Sequence, residues 1–401
     1  MMDAVVGRPN IGDRTILIDR INAILDSGRL TNNGPIVQEF ERRIAEYVGV
    51  SHAIVVTNAT IGLEIAARAL GLHGEVVVPS YTFVATAHAL SWQGITPVFA
   101  DIDPETHNLD PAAVEAQITE RTTGIIAVHL WGRPADVDGL ADVAARHGVE
   151  LMFDSAHAFG CSRGGTMIGG FGRCEVFSFH ATKFLNSFEG GAIVTNDAEL
   201  AKKARLMRNF GFAGTDKVVC EGTNGKMPEI CAAMGLTSLE AIGEIIDANR
   251  RNYETYAKML GEAESVELLQ YDPEELNNYQ YIVAIVESEE RRDWIVEALR
   301  TRGTMARKYF WPGVHNMGPY NSHPQRTMLP NTADVAAKVA VLPTGPSVSV
   351  DTIAKVCEVV RGRPILRGVA LLRFTESKLG AMVLRSTVMN IVQVTHRASP
   401  A

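Results

Sequence analysis

Glu175-Val176-Phe177-Ser178-Phe179-His180-Ala181-Thr182-Lys183, followed by Phe188-Glu189-Gly190-Gly191-Ala192-Ile193-Val194, is the most informative stretch of this chain. An apolar run ends in Ser, His, Thr and Lys. A Gly-Gly pair then leads into a second apolar run. Runs of this kind read as strands buried on both faces. A lysine among apolar and hydroxyl neighbours gives up its proton more readily than a solvated one and can act as an amine nucleophile. The alternative for Lys183 is an ordinary solvated loop residue. The glycines let the backbone turn close to a bound group.

Three further segments have the same form, a strand that ends in polar residues. Leu151-Met152-Phe153-Asp154-Ser155-Ala156-His157 puts a carboxylate at the end of an apolar run. Side chains there face the crevice in which α/β sheets bind ligands, and a buried carboxylate needs a partner. A protonated pyridine nitrogen would serve, and holding that proton makes the ring an electron sink. The plainer reading makes Asp154 a helix cap and His157 a satisfied histidine. Val56-Thr57-Asn58-Ala59-Thr60-Ile61-Gly62 runs from strand into helix. A helix start presents unpaired N–H groups that suit a phosphate, and Thr60 adds a hydroxyl. A cap without a ligand is the alternative. In Pro79-Ser80-Tyr81-Thr82-Phe83, Phe83 either stacks on a planar ring or fills the core.

Strand-like and helix-like segments alternate on either side of these motifs. Short apolar runs lie at 53–57, 75–78, 96–99, 124–128, 150–153, 175–179 and 192–195, with helical patterns such as 61–70, 111–118 and 137–147 between them. The alternation predicts an α/β fold, a mainly parallel sheet covered by helices. A helical stretch at about 228–260, strands at 279–286 and 304–309, and helices at 291–302 and 350–360 predict a smaller C-terminal α+β domain. The expected divisions are 1–249 for the large domain, 250–366 for the small one and 367–401 as an unassigned tail.

The 401 residues are 46% hydrophobic and 21% charged, with a formal net charge of −8. The composition is that of a globular enzyme, and the acidic balance disfavours nucleic-acid binding. An anionic substrate must be held by local donors. Five cysteines, an odd number with no CxxC pair, argue against a zinc site or a disulfide framework. No apolar run is long enough to span a bilayer, and no signal peptide is read at the start. A cytoplasmic location is expected.

Taken in order, these motifs resemble the DegT/DnrJ/EryC1/StrS family of sugar aminotransferases, which have the fold-type I (aspartate aminotransferase-like) architecture and depend on pyridoxal 5′-phosphate (PLP). The phrases carrying the likeness are SGRLTNNGPIVQEFE (27–41), TNATIGLEIA (57–66), VPSYTFVATAHAL (78–90), VHLWGRPADVDGL (128–140), DSAHAFG (154–160), FSFHATKFLNSFEGG (177–191) and NGKMPEICAAMGLTSLE (224–240). The resemblance implies that Lys183 is the Schiff-base lysine and that Asp154 pairs with the pyridinium nitrogen. It further implies that Ala59, Thr60 and Ser178 hold the phosphate, that Phe83 stacks on the ring and that His157, at a position often Gln in the family, lies near the 3-hydroxyl. Asn224 would reach the cofactor phosphate of a second subunit, making the active unit a homodimer. Within the family the likeness is greatest to enzymes that move an amino group from L-glutamate to the C4 ketone of a dTDP-linked 4-keto-6-deoxy sugar, by way of pyridoxamine 5′-phosphate. Substrate contacts are expected from Thr31, Asn32 and Asn33 in one loop, and from Tyr309, His315 and Tyr320 on the opposite wall.

Four other readings compete. A sugar 3-dehydratase of the family carries His where this chain has Lys183, and a 3-aminotransferase differs only in regiochemistry. A nicotinamide-dependent sugar oxidoreductase needs GxGxxG after its first strand, where this chain reads NATIG. A non-catalytic regulator on the same fold should lack the Lys or the Asp.

Overall fold

Seven apolar runs assemble into one sheet. Its strand order is His52–Val56, Gly191–Thr195, Glu175–Ser178, Glu150–Asp154, Thr122–Val128, Glu75–Pro79 and Thr96–Ala100. Gly191–Thr195 runs antiparallel to both its neighbours, and the other pairings are parallel. Helices cover both faces, so the middle strands are buried throughout, as at Val76, Val77 and Val78. On one face Ile54, Val56, Leu63, Val76, Ile126 and Val176 share a cluster with the helix Ala59–Ala69. On the other, Val77, Ile125, Leu151 and Phe153 pack on the helix Val137–His147. Alternate residues of each strand feed the two cores, which is why the strands read as unbroken apolar runs.

This is a computed structural model, and it describes residues 4–261, 263, 265–321 and 328–362. The tail expectation for 367–401 lies outside the described residues. A second, antiparallel sheet joins Val266–Leu268, Ile282–Val286 and Val339–Leu342. It packs through Leu268, Ile282 and Leu342 on the helices Ile242–Leu260, Glu289–Thr301 and Val350–Arg361.

Some elements differ from their expected bounds. The stretch expected as one helix over 228–260 is two, Glu229–Glu240 and Ile242–Leu260, because Ala241 takes a non-helical conformation with neither Gly nor Pro to mark it. The second helix runs unbroken across position 249. The strand expected at 304–309 is only Thr304–Met305; beyond it the chain turns back through the Trp311 N–H to Lys308 carbonyl bond. That short strand pairs with Ala4–Val5, which brings the start of the chain onto the body of the fold.

Candidate active site

The carboxyl ends of the parallel strands open into a cavity of about 560 Å³, a size suited to a small organic ligand. Asp154 ends one strand and Ser178 ends its parallel neighbour, with Asp154 in register with Val176. Past Ser178 the chain turns, its Lys183 N–H donating to the His180 carbonyl at 2.8 Å, and the Lys183 side chain enters the cavity. Asn10 secures the segment that follows: its amide donates to the Phe184 carbonyl at 3.1 Å, and its carbonyl accepts from the Asn186 amide at 2.6 Å.

Lys183 Nζ donates to the Tyr281 hydroxyl at 3.2 Å. Burial lowers its pKa to about 8, against the opposing pull of the Asp154 carboxylate. Asp154 is itself buried, and loss of water raises its pKa. The Thr86 hydroxyl, which donates to Oδ2 at 2.8 Å, and the Ala156 N–H, which donates to Oδ1 at 3.1 Å, act against that rise. His157 lines the same cavity, with its ring centroid 4.4 Å from that of Tyr281. Its Nδ1 accepts the Trp131 N–H at 3.3 Å, so the proton of the neutral ring sits on Nε2. Burial, assisted by Lys183, holds its pKa well below the usual histidine value.

At the facing helix, Asn58 caps Ala59–Ala69 by accepting the Ile61 N–H at 2.9 Å. The Ala59 and Thr60 N–H groups of this first turn meet no protein acceptor among the described residues, and both residues line the cavity. Gly191 lies against this turn: a Cβ there would stand 2.8 Å from the Ala59 nitrogen and from the Phe177 carbonyl oxygen. Gly191 is thus needed for close approach of the backbones. Phe83 lines the cavity and is 58% exposed, so it is not a core residue.

Ala59, Thr60, Phe83, Asp154, His157, Ser178, Lys183 and Tyr309 therefore meet at one cavity. Of the six expected substrate residues only Tyr309 lines it. Buried His315 is held by Ser80, whose hydroxyl accepts the His315 N–H at 3.0 Å and contacts Nδ1 at 2.6 Å. Tyr320 packs on Phe99 and reaches the Ser91 hydroxyl at 3.1 Å. Asn32 and Asn33 line a separate cavity of about 210 Å³ with Arg205, Arg208 and Lys226. The exposed Asn224 accepts from Lys226 Nζ at 2.8 Å there, and Thr31 is exposed in the same loop as Asn32 and Asn33. Residues not singled out in the sequence include Tyr281, Thr86 and the segment Val6–Arg8 with Asn10. Thr86 stands inside the quoted VPSYTFVATAHAL phrase. Tyr281 lies in the run read as a strand, and nothing local marks residues 6–10.

The family model for the DegT/DnrJ/EryC1/StrS aminotransferase family matches residues 13–361. The chain belongs to this family. Among curated relatives of this aminotransferase is the dTDP-4-amino-4,6-dideoxy-D-glucose transaminase of Shigella dysenteriae. It is 34% identical over 358 residues, 89% of this chain and 98% of the relative. The GDP-perosamine synthase of Caulobacter vibrioides is 36% identical over 310 residues, 75% of this chain and 83% of the relative. Among solved structures, DesI in the presence of its TDP-sugar product is 49% identical with a TM-score of 0.86, covering 89% of this chain and 92% of DesI. DesV of S. venezuelae in complex with a ketimine intermediate is 32% identical with a TM-score of 0.81, covering 88% and 98%.

The aminotransferase is PLP-dependent, and its cavity fits the cofactor. It offers a lysine of lowered pKa, a buried carboxylate, an exposed aromatic ring and a helix start whose N–H groups are open to a phosphate. Among the described residues no helix is long and apolar enough to cross a membrane.

Proposed function

We propose that the enzyme moves an amino group from L-glutamate to the C4 ketone of a dTDP-4-keto-6-deoxy-hexose, giving dTDP-4-amino-4,6-dideoxy-D-glucose. The observation that carries this reading is the convergence of Lys183 and Asp154 on one cavity, in a chain similar to enzymes named for that product. PLP supplies, when bound, the carbonyl that takes up the amino group and the ring that draws electrons from carbon. Lys183 Nζ, its pKa lowered to about 8 and oriented by the Tyr281 hydroxyl, moves the proton to and from the reacting carbons. Asp154 supplies the negative charge that keeps the ring nitrogen protonated. The N–H groups of Ala59 and Thr60, with the Ser178 hydroxyl, hold the phosphate. Phe83 would stack on the ring, and His157 Nε2–H would serve the 3-hydroxyl.

The active unit in this proposal is a homodimer acting in the cytoplasm. In this proposal Thr31, Asn32, Asn33 and Asn224, which do not line the Lys183 cavity of their own chain, serve the site of the second subunit. Tyr309 contacts the sugar from within the chain. The likeness to GDP-perosamine synthase makes a GDP-linked 4-keto sugar the second substrate to assay.

The test is Lys183→Ala. The purified variant should neither turn over nor give the visible absorbance of lysine-bound PLP, and retention of either sinks the assignment. Product NMR after incubation with 4-keto and 3-keto isomers checks the position of the new amine.

A further inference from the structure

Asp154 sits at the bottom of the cavity, away from water, where an ionised carboxylate is costly unless donors replace its hydration. Two protein donors do so, one on each oxygen: the Ala156 N–H on Oδ1 and the Thr86 hydroxyl on Oδ2. The first is backbone and any residue would supply it. The second depends on a side chain. Thr86 is fully buried and has a single hydroxyl proton, which is spent on Asp154. In its 3.1 Å contact with the Thr82 hydroxyl, Thr86 must therefore accept and Thr82 donate. Thr82 is also buried, and it lines the cavity beside Phe83. The Thr86 N–H closes the turn on the Phe83 carbonyl at 3.2 Å.

We propose that Thr86, aligned by Thr82, is a positioning residue that fixes the Asp154 carboxylate for the ring nitrogen of the cofactor. This rests on the role given to Asp154 above. A single turn, 82–86, then sets two features of the cofactor site together. Phe83 presents its ring to the cavity, while Thr86, three residues on, fastens the charge. Each carboxylate oxygen can accept more than one hydrogen bond, so the two protein donors leave room for a third from the cavity. A purely structural role, in which Thr86 only packs its short helix against the sheet, would be met equally by valine of the same shape.

The experiment uses apoenzyme reconstituted with PLP carrying ¹⁵N in the ring, in wild type, Thr86→Val, Thr86→Ser, Thr82→Val and Asp154→Asn. The readouts are the pH dependence of the ring-nitrogen shift and the PLP dissociation constant. Loss of a hydrogen bond to a charged acceptor should weaken PLP binding on the order of 10-fold in Thr86→Val. It should also move loss of the ring-nitrogen proton to lower pH by about one unit. Thr86→Ser keeps the hydroxyl and should restore both values, and Thr82→Val should show the same change in smaller degree. If Thr86→Val matches wild type while Asp154→Asn gives an unprotonated ring, Thr86 has no such role and that of Asp154 stands. If Asp154→Asn also matches wild type, the role of Asp154 falls and this proposal with it. Should Thr86→Val fail to fold, an unchanged Thr82→Val overturns the proposal.

Discussion

Replacing Asp154 by Asn should move the titration of Lys183 downward from its starting point of about 8. Burial depresses the lysine, and the opposite charge of Asp154 offsets part of that depression. Asn keeps the shape but carries no charge, and its one oxygen can replace only one of the two carboxylate oxygens that accept from Thr86 and the Ala156 N–H. With a pKa near 8 about 10% of the amine is free at pH 7, whereas a lysine at 10.5 is free to only about 0.03%, a difference of about 300-fold. Competitive acetylation of the cofactor-free protein between pH 6 and 11, read peptide by peptide by mass spectrometry, gives the midpoint of Lys183 against the other lysines. The expected result is a midpoint near 8 in the wild type and a lower one in Asp154→Asn. A wild-type midpoint near 10.5, or an upward move in the variant, would refute the account of desolvation opposed by one carboxylate. The same shift sets a stability trend. Between pH 8 and 10.5 the unfolded chain holds the lysine proton more tightly than the folded one, so this group makes the apoprotein more stable as pH rises through that window.

Gly191→Ala should lower the unfolding free energy by about 2–3 kcal/mol in denaturant melts, because the new methyl would meet backbone atoms at 2.8 Å that no rotamer change can move. It should also weaken PLP binding, since one of those atoms is the Ala59 nitrogen of the phosphate turn. Phe83→Ala separates the core reading from the ring-stacking one. At 58% exposure its removal should change apoprotein stability by about 0.5 kcal/mol or less, against about 3–5 kcal/mol for a core phenylalanine, while PLP dissociates measurably faster.

The large sheet was legible because its strands are buried on both faces. Val76–Val78 and Ile125–Val128 have no polar side to confuse the period, and Gly, Pro or Asp punctuates many of the runs. Strand order is a different matter. Gly191–Thr195 inserts between His52–Val56 and Glu175–Ser178, a pairing of distant segments that no local pattern encodes. The break at Ala241 was invisible for a related reason, since alanine favours the helix it interrupts. His315 and Tyr320 show how far residue type can mislead: both are polar aromatics, yet Ser80 and Ser91 satisfy them away from the cavity.

For the site itself, the sequence holds the reactive groups, but their reactivity comes from elsewhere in the chain. Lys183, Asp154 and His157 are all shifted chiefly by burial. The groups that bury them come from far along the chain. Tyr281 lies 98 residues beyond Lys183 and takes its amine. Phe310 packs beside His157 and Trp131, and Val6–Arg8 reaches the cavity because Ala4–Val5 pairs with Thr304–Met305. An amine nucleophile in a loop has an ordinary pKa until such walls close around it. The catalytic poise of Lys183 is thus a tertiary property. Disturbing the Ala4–Val5 pairing, remote from the lysine in sequence, ought to return its pKa toward 10.5 by readmitting water.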